Sequence, residues 1–284
     1  MKPAYSTTFP VAEYDLDATL ASGQVFRWRR EADGWTGVVG GRWVRLAVDK
    51  NCIRAETVVP VTDWNWLADF LQVRTDFAAI LATFPDDEPM RRAVVACRGV
   101  RLLRQDVWEC LATFILSSTK QIVQIQQIVA LLCERFGDRV PAPDGATAFA
   151  FPTAAQLALA SEAELRACKM GFRAPNLLAT ARMVAAGQFS PSSLRALTLA
   201  EARAQLLALP GVGRKIADCV LLFGGGFDAA FPIDVWVMRA LRELYFSRRR
   251  ISSKRLQHFA ATHFGSHAGH AQQYLFHYMR TKMN

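Results

Sequence analysis

One stretch of the chain combines a nucleophile with the backbone grammar needed to place it: Leu209-Pro210-Gly211-Val212-Gly213-Arg214-Lys215-Ile216-Ala217-Asp218-Cys219. A capped helix is expected to end at Leu209 and a tight Gly-x-Gly hairpin to follow. A second helix then begins near Arg214, with Ile216, Cys219, Val220 and Phe223 on one face, and stops at Gly224-Gly225-Gly226. Gly211 and Gly213 let the backbone turn sharply and come close to a ligand, and the free amides opening the second helix can hold a phosphate. Lys215 stands in that helix's first turn. The positive end of the helix dipole disfavours an ammonium there, and burial disfavours it further. Both favour the neutral amine that can attack carbon. A lysine serving solubility alone belongs at the other end of a helix.

Further along, Phe231-Pro232-Ile233-Asp234-Val235-Trp236 places a carboxylate before a helical run ending near Tyr245. Asp234 can be an N-cap, worth about 1 kcal/mol. It can equally be the carboxylate that stabilises positive charge on a sugar as its base departs. A cap oriented by its own helix can do both. Without chemistry at Lys215 and Asp234, the same hairpin would be a plain helical pair or a module that only grips phosphates.

These residues need a frame. Up to about residue 60 the chain reads as strands: Gln24–Arg29, then Asp33-Gly34, Trp35–Val39, Gly40-Gly41 and Arg42–Val48, alternating residues around hairpin turns. From Trp64 the period becomes helical, with one long apolar face from Val107 to Phe136. Capping boxes at Ser161/Glu164 and Thr198/Glu201 start later helices, the first expected to stop at Gly171 and the second at Pro210. The fold class is α+β: an N-terminal antiparallel β-sheet domain with flanking helices over 1–98, then a larger all-helical domain over 99–284 containing the helix–hairpin–helix.

Composition narrows the function. The 284 residues are 51% hydrophobic and 21% charged, which excludes a disordered chain. No apolar run can span a bilayer, and the N-terminus lacks a signal peptide's apolar core, so an intracellular protein is expected. Six cysteines, at 52, 97, 110, 133, 168 and 219, form no C-x-x-C, arguing for free thiols and against zinc ribbons or a cysteine-ligated cluster. The net charge is +9, and after Glu243 no acidic residue occurs, while Arg248, Arg249, Arg250, Lys254, Arg255, Arg280 and Lys282 do. Such a segment is either a footprint for a polyanion or a solvated face. All five histidines lie there too, without the cysteines or carboxylates of a metal site.

The hairpin with Lys215, followed by Phe231-Pro232-Ile233-Asp234-Val235, resembles the helix–hairpin–helix-GPD superfamily of DNA glycosylases, and within it the 8-oxoguanine glycosylases. Ser22–Trp28, Gly99–Asp106 with Glu109-Cys110, and Gly171-Phe172-Arg173-Ala174 extend the likeness in order along the chain. The resemblance implies that Lys215 attacks the anomeric carbon, expels the oxidised base and forms a Schiff base, after which the 3′ phosphate is eliminated. Asp234 would stabilise the transition state. The carbonyl of Gly23 would accept the N7 hydrogen that guanine lacks, an acceptor guanine would leave unpaired. Cys219 and Phe276 would sandwich the flipped base and Gln272 would read its pairing edge. Absent the resemblance, Cys219 and Phe276 read as core and Gly23 as a turn. Phe172 would fill the gap left by the lesion, Arg173 would hold the orphaned cytosine, and the carbonyls of Leu207, Leu209 and Val212 match a monovalent-cation site.

The chain departs from the family pattern at Ser117-Ser118-Thr119-Lys120-Gln121, where asparagines usually follow the serines, at Gln124 in place of a second opposite-base arginine, and at Trp236 in place of a histidine. Chemistry is expected to survive and opposite-base selectivity to loosen. The reading implies no required cofactor beyond a structural monovalent cation, no iron–sulfur cluster, double-stranded DNA containing 8-oxoguanine as partner, no membrane, a monomer, and a cytoplasmic, nucleoid-associated enzyme. The competing readings are a glycosylase for alkylated purines or oxidised pyrimidines and a non-catalytic DNA-binding hairpin. Lys215 opposes the alkyl-purine enzymes, which typically lack it.

Overall fold

The computed structural model describes residues 5–118, 120–247 and 251–282. Thr119 and Arg248–Arg250, singled out in the sequence, lie outside the described residues. Strand β1 (Tyr5–Pro10) and helix α1 (Leu16–Ala21) precede β2 (Arg29–Glu31), β3 (Gly34–Val39), β4 (Arg42–Asp49) and β5 (Cys52–Thr57). Among the described residues these strands make one antiparallel sheet of order β1-β5-β4-β3-β2. Trp35 pairs Leu46, and Leu46 pairs Ala55. That register puts Trp35, Val44, Leu46, Ile53 and Ala55 into one core with Leu16, Leu20, Leu67 and Leu71. The turn at Gly40-Gly41 carries φ of 55° and 73°, the left-handed pair a tight hairpin demands.

Helices α2 (Asn65–Leu71), α3 (Phe77–Leu81), α4 (Glu88–Ala96), α5 (Val107–Leu116) and α6 (Ile122–Phe136) follow. A short antiparallel pair, β6 (Arg139–Val140) with β7 (Ala148–Phe149), comes next. Then come α7 (Ala154–Ala158), α8 (Glu162–Ala167), a 3-10 turn at Gly171–Arg173 and α9 (Ala174–Ala185). After a second 3-10 turn (Pro191–Ala196) run α10 (Leu199–Leu207), α11 (Arg214–Val220) with a π-turn (Leu221–Gly225), α12 (Val235–Leu244), α13 (Ser253–His263) and α14 (Ala268–Lys282). Residues of α5 to α11 share one apolar core, and α3 and α4 share another with α12 to α14, so the last helices fold back onto an early segment.

Four expectations differ from the structure. Gln24–Trp28 is not a strand: Trp28 lies flat over β3, so that a Cβ on Gly37 would stand 2.6 Å from its ring, and the segment crosses the sheet instead of pairing. The apolar face from Val107 to Phe136 belongs to two helices, because Ser117 turns its hydroxyl and amide onto the Phe114 carbonyl and closes α5. The helix begun at Ser161 ends at Ala167, where Lys169 turns left-handed (φ 64°), well before Gly171. The part beyond residue 99 is not all helical, since it holds the β6–β7 pair.

Candidate active site

The hairpin is built from both flanks. Helix α10 opens on the Thr198/Glu201 capping box and the turn is packed from outside by α9. Gly211 has φ of +74°, and a Cβ on it would stand 2.6 Å from Asn176 Nδ2, while Thr180 Oγ1 donates to the Pro210 carbonyl at 3.3 Å. Gly213 differs. Its backbone is extended, a Cβ would meet nothing within 4 Å, and it caps α11 without a side-chain bond. The fold does not require glycine there, so its value is an open approach to the first amides of α11. The buried Asp218 carboxylate binds Arg203 Nε of α10 at 2.7 Å and Arg214 Nε at 3.2 Å, bolting the two helices together.

Lys215 is half-buried on this platform. Its Nζ donates to Ser117 Oγ at 3.1 Å and lies 5.0 Å from the Phe114 ring centroid. Asp234 is the N-cap of α12, accepting the Val237 amide at 2.8 Å. Burial pushes its carboxyl above the usual carboxylate range, opposed by the Val237 amide and by the charge of Lys215. Cys219, one turn beyond Lys215, is buried and its thiol is pushed up to about 12 by burial, with Lys215 pulling down and Asp234 pushing up. Lys215, Cys219 and Asp234 therefore feel one another. A thiol held neutral offers an apolar wall and no competing nucleophile. The capping role of Asp234 is realised, and its carboxylate still faces the lysine's field.

The loop before the sheet is held by one amide. Gln24 is fully buried. Its Nε2 donates to the carbonyls of Thr19 (3.2 Å) and Arg101 (2.8 Å) and to Ser22 Oγ (2.9 Å), and its Oε1 accepts the Leu103 amide at 2.8 Å. This clamp presents Gly23 at φ +82°, where a Cβ would stand 2.6 Å from Ile122 Cδ1 and 3.7 Å from Arg280 Nη1. On α14, Gln272, Phe276 and Arg280 follow at successive turns. Gln272 is 4% exposed and its Oε1 has no hydrogen-bond partner among the described residues. Arg280 Nη1 donates to the Ala21 carbonyl at 3.3 Å and its Cζ lies 5.8 Å from the Phe276 ring, which joins Phe276 to the Gly23 loop.

The residues expected to probe the opposite strand are set differently. Phe172 is 62% exposed on the 3-10 turn, while Arg173 is buried, its guanidinium 4.2 Å from the Phe172 ring and donating to the Met170 carbonyl at 3.3 Å. Gln124 is exposed and accepts the Gln121 amide at 3.1 Å, so it serves the start of α6. At the hairpin, Leu209 accepts the Val212 amide at 3.2 Å. Among the described residues, no amide donates to the carbonyls of Leu207 or Val212, so the set retains the oxygen lone pairs a monovalent cation needs.

Three contributors are not evident from the sequence. Gln24 belongs to a motif that gives it no role of its own, Asp218 looks like an ordinary helix residue, and Ser117 opens a segment whose departures from the family pattern lie after it. A buried polar residue beside a functional glycine or lysine is the available signal.

Comparison with known proteins agrees with this geometry. Residues 6–111 match the profile of the 8-oxoguanine DNA glycosylase N-terminal domain, and residues 112–263 match that of the HhH-GPD superfamily base excision DNA repair proteins. The chain is 30% identical over 282 residues to the N-glycosylase/DNA lyase OGG1 of Arabidopsis thaliana, covering 93% of this chain and 77% of that protein. It superposes on MBOgg1, solved in complex with a low-affinity DNA ligand, with a TM-score of 0.94 and 31% identity over 100% of this chain and 98% of that one. The 8-oxoguanine glycosylase/lyase of Clostridium acetobutylicum, in complex with double-stranded DNA containing cytosine opposite 8-oxoguanine, gives 0.91 and 28% identity, with both chains fully covered. The chain belongs to the HhH-GPD superfamily of base excision DNA repair proteins.

Proposed function

We propose that the chain excises 8-oxoguanine from duplex DNA and nicks the strand at the resulting site. The observation that carries this reading is Lys215 in the first turn of α11, held by Ser117 Oγ at 3.1 Å and sharing a field with the capping carboxylate of Asp234. The nitrogen lone pair forms a bond to C1′ as the bond from C1′ to the base breaks, and the departing electron pair leaves with the base. Asp234 stabilises the positive charge that spreads over the sugar. The nitrogen then gives up a proton, and the sugar ring opens as the C1′–O4′ bond breaks and O4′ takes a proton. An imine remains on Lys215, and removal of a C2′ proton expels the 3′ phosphate.

The pocket follows from the same assignments. The carbonyl of Gly23 accepts the N7 hydrogen of the lesion, Cys219 and Phe276 flank the base, and Gln272 uses its unpaired Oε1 on the base's pairing edge. Phe172, exposed on its short turn, enters the stack where the base left. Arg173 reaches the opposite cytosine only by leaving the Phe172 ring, and Gln124 can reach DNA only beside its capping bond. The amides near Gly211 and Gly213 approach a phosphate, and a monovalent cation on the carbonyls of Leu207, Leu209 and Val212 supplies positive charge there. Among the described residues no helix is long and apolar enough to cross a membrane. The six free cysteines suit a reducing compartment, and we place the enzyme in the cytoplasm, on the nucleoid.

The test is cleavage of an 8-oxoguanine duplex by the wild type, Lys215→Gln and Asp234→Asn, with borohydride added to capture an imine. The wild type nicks and cross-links. Lys215→Gln does neither, and Asp234→Asn falls by at least about a hundredfold. A wild type that binds the duplex without ever cross-linking would make this chain a binding module.

A further inference from the structure

We infer that Ser117 is a positioning residue for Lys215, fixing the amine with its lone pair free; this rests on the reading of Lys215 as the nucleophile. Ser117 stands at the C-terminal end of α5, where its hydroxyl donates to the Phe114 carbonyl at 2.7 Å. That bond uses the hydroxyl's one hydrogen. Toward Lys215 Nζ, 3.1 Å away, Ser117 Oγ can therefore only accept.

The direction matters. A neutral amine has two hydrogens and one lone pair. A hydroxyl free to rotate would donate to that lone pair and mask the nucleophile. A hydroxyl already committed to Phe114 takes one amine hydrogen and leaves the pair unoccupied. The other groups around Nζ neither compete for the pair nor replace the acceptor: the Phe114 ring at 5.0 Å and the Cys219 thiol, held protonated in its buried position. The lysine stem is otherwise a freely rotating chain, and misplacing a reacting atom by about 1 Å costs on the order of a hundredfold in rate.

The experiment measures single-turnover imine capture and duplex binding for the wild type, Ser117→Ala and Ser117→Thr, on an 8-oxoguanine duplex and on one with a pre-formed abasic site, with Tm recorded for each protein. Ser117→Ala is expected to capture both duplexes ten- to a hundredfold more slowly at saturating DNA, with affinity within about twofold of the wild type. Ser117→Thr, which keeps the hydroxyl, is expected to restore most of the rate. An alanine variant as fast as the wild type overturns the inference. So does a defect confined to the 8-oxoguanine duplex, which places Ser117 in base recognition, or an equal loss in both variants with a matching fall in Tm, which makes it structural only. If the wild type captures neither duplex, the reading of Lys215 falls and takes this inference with it. If the wild type captures both and only the Ser117 variants behave otherwise than stated, the nucleophile stands and the inference alone fails.

Discussion

Two turns in this molecule have a left-handed glycine between short helices and face opposite fates. At Gly211 (φ +74°) a Cβ would strike Asn176 at 2.6 Å, and the helices on either side are bolted by Asp218 to Arg203 and Arg214. At Gly171 (φ +61°) a Cβ would meet nothing within 4 Å, and the next residue, Phe172, is 62% exposed. Helix α9 joins them, since it begins at the second turn and carries Asn176 and Thr180 against the first. The difference is one of task. A turn that aims a nucleophile must be over-determined, and a turn that enters a base stack must keep its surface for the ligand.

The contrast between the turns breaks first at Asp218. Asp218→Ala leaves the Arg203 guanidinium, 16% exposed, without its carboxylate, and unfolding experiments should show a loss of about 3 kcal/mol with nicking reduced in parallel. Unchanged stability would mean that the hairpin is held by packing alone. Gly211→Ala comes next, at about 2 kcal/mol, because left-handed strain and the Asn176 clash add. The same change at Gly171 should cost only the strain, about 1 kcal/mol. Equal losses at the two glycines would erase the distinction drawn between the turns. Phe172→Ala should leave stability within about 0.5 kcal/mol and weaken binding to a lesion duplex more than to an undamaged one, read by titration of both.

Asp234 sharpens the same contrast on the rigid side. Burial raises its carboxyl above the usual range, so the folded protein binds its proton more tightly than the unfolded chain. The stability it contributes is present below the ordinary carboxylate value and lost as pH rises through the raised value. Asparagine also caps a helix. Asp234→Asn should therefore melt at or above the wild-type temperature at neutral pH, with the advantage gone below about pH 4. Excision by the wild type runs the other way, rising as pH climbs through that same raised value, because the ionised form does the work. A variant less stable than the wild type at neutral pH would show the carboxylate to be a net structural asset.

What the sequence makes legible is what is local. Pro210, Gly211 and Gly213 between two periodic runs disclose a hairpin, Asp234 before Val235 discloses a cap, and the capping boxes at Ser161 and Thr198 appear where expected. The fold class follows from the change of period after the sheet. The parts that stay hidden depend on distant partners. Gln24 reads as a strand residue until the 101–105 segment arrives to take its bonds. The break at Ser117 carries neither proline nor glycine, and the apolar face continues across it. The meeting of Gly23 with Arg280 requires residues at opposite ends of the chain to be neighbours, which no spacing expresses.

The central claim is that the amine of Lys215 becomes covalently joined to the damaged sugar. Mass spectrometry of protein captured by borohydride on an 8-oxoguanine duplex should find the adduct on the peptide that contains Lys215, and none after Lys215→Gln. An adduct on another lysine or on the N-terminal amine of the wild type would contradict the account.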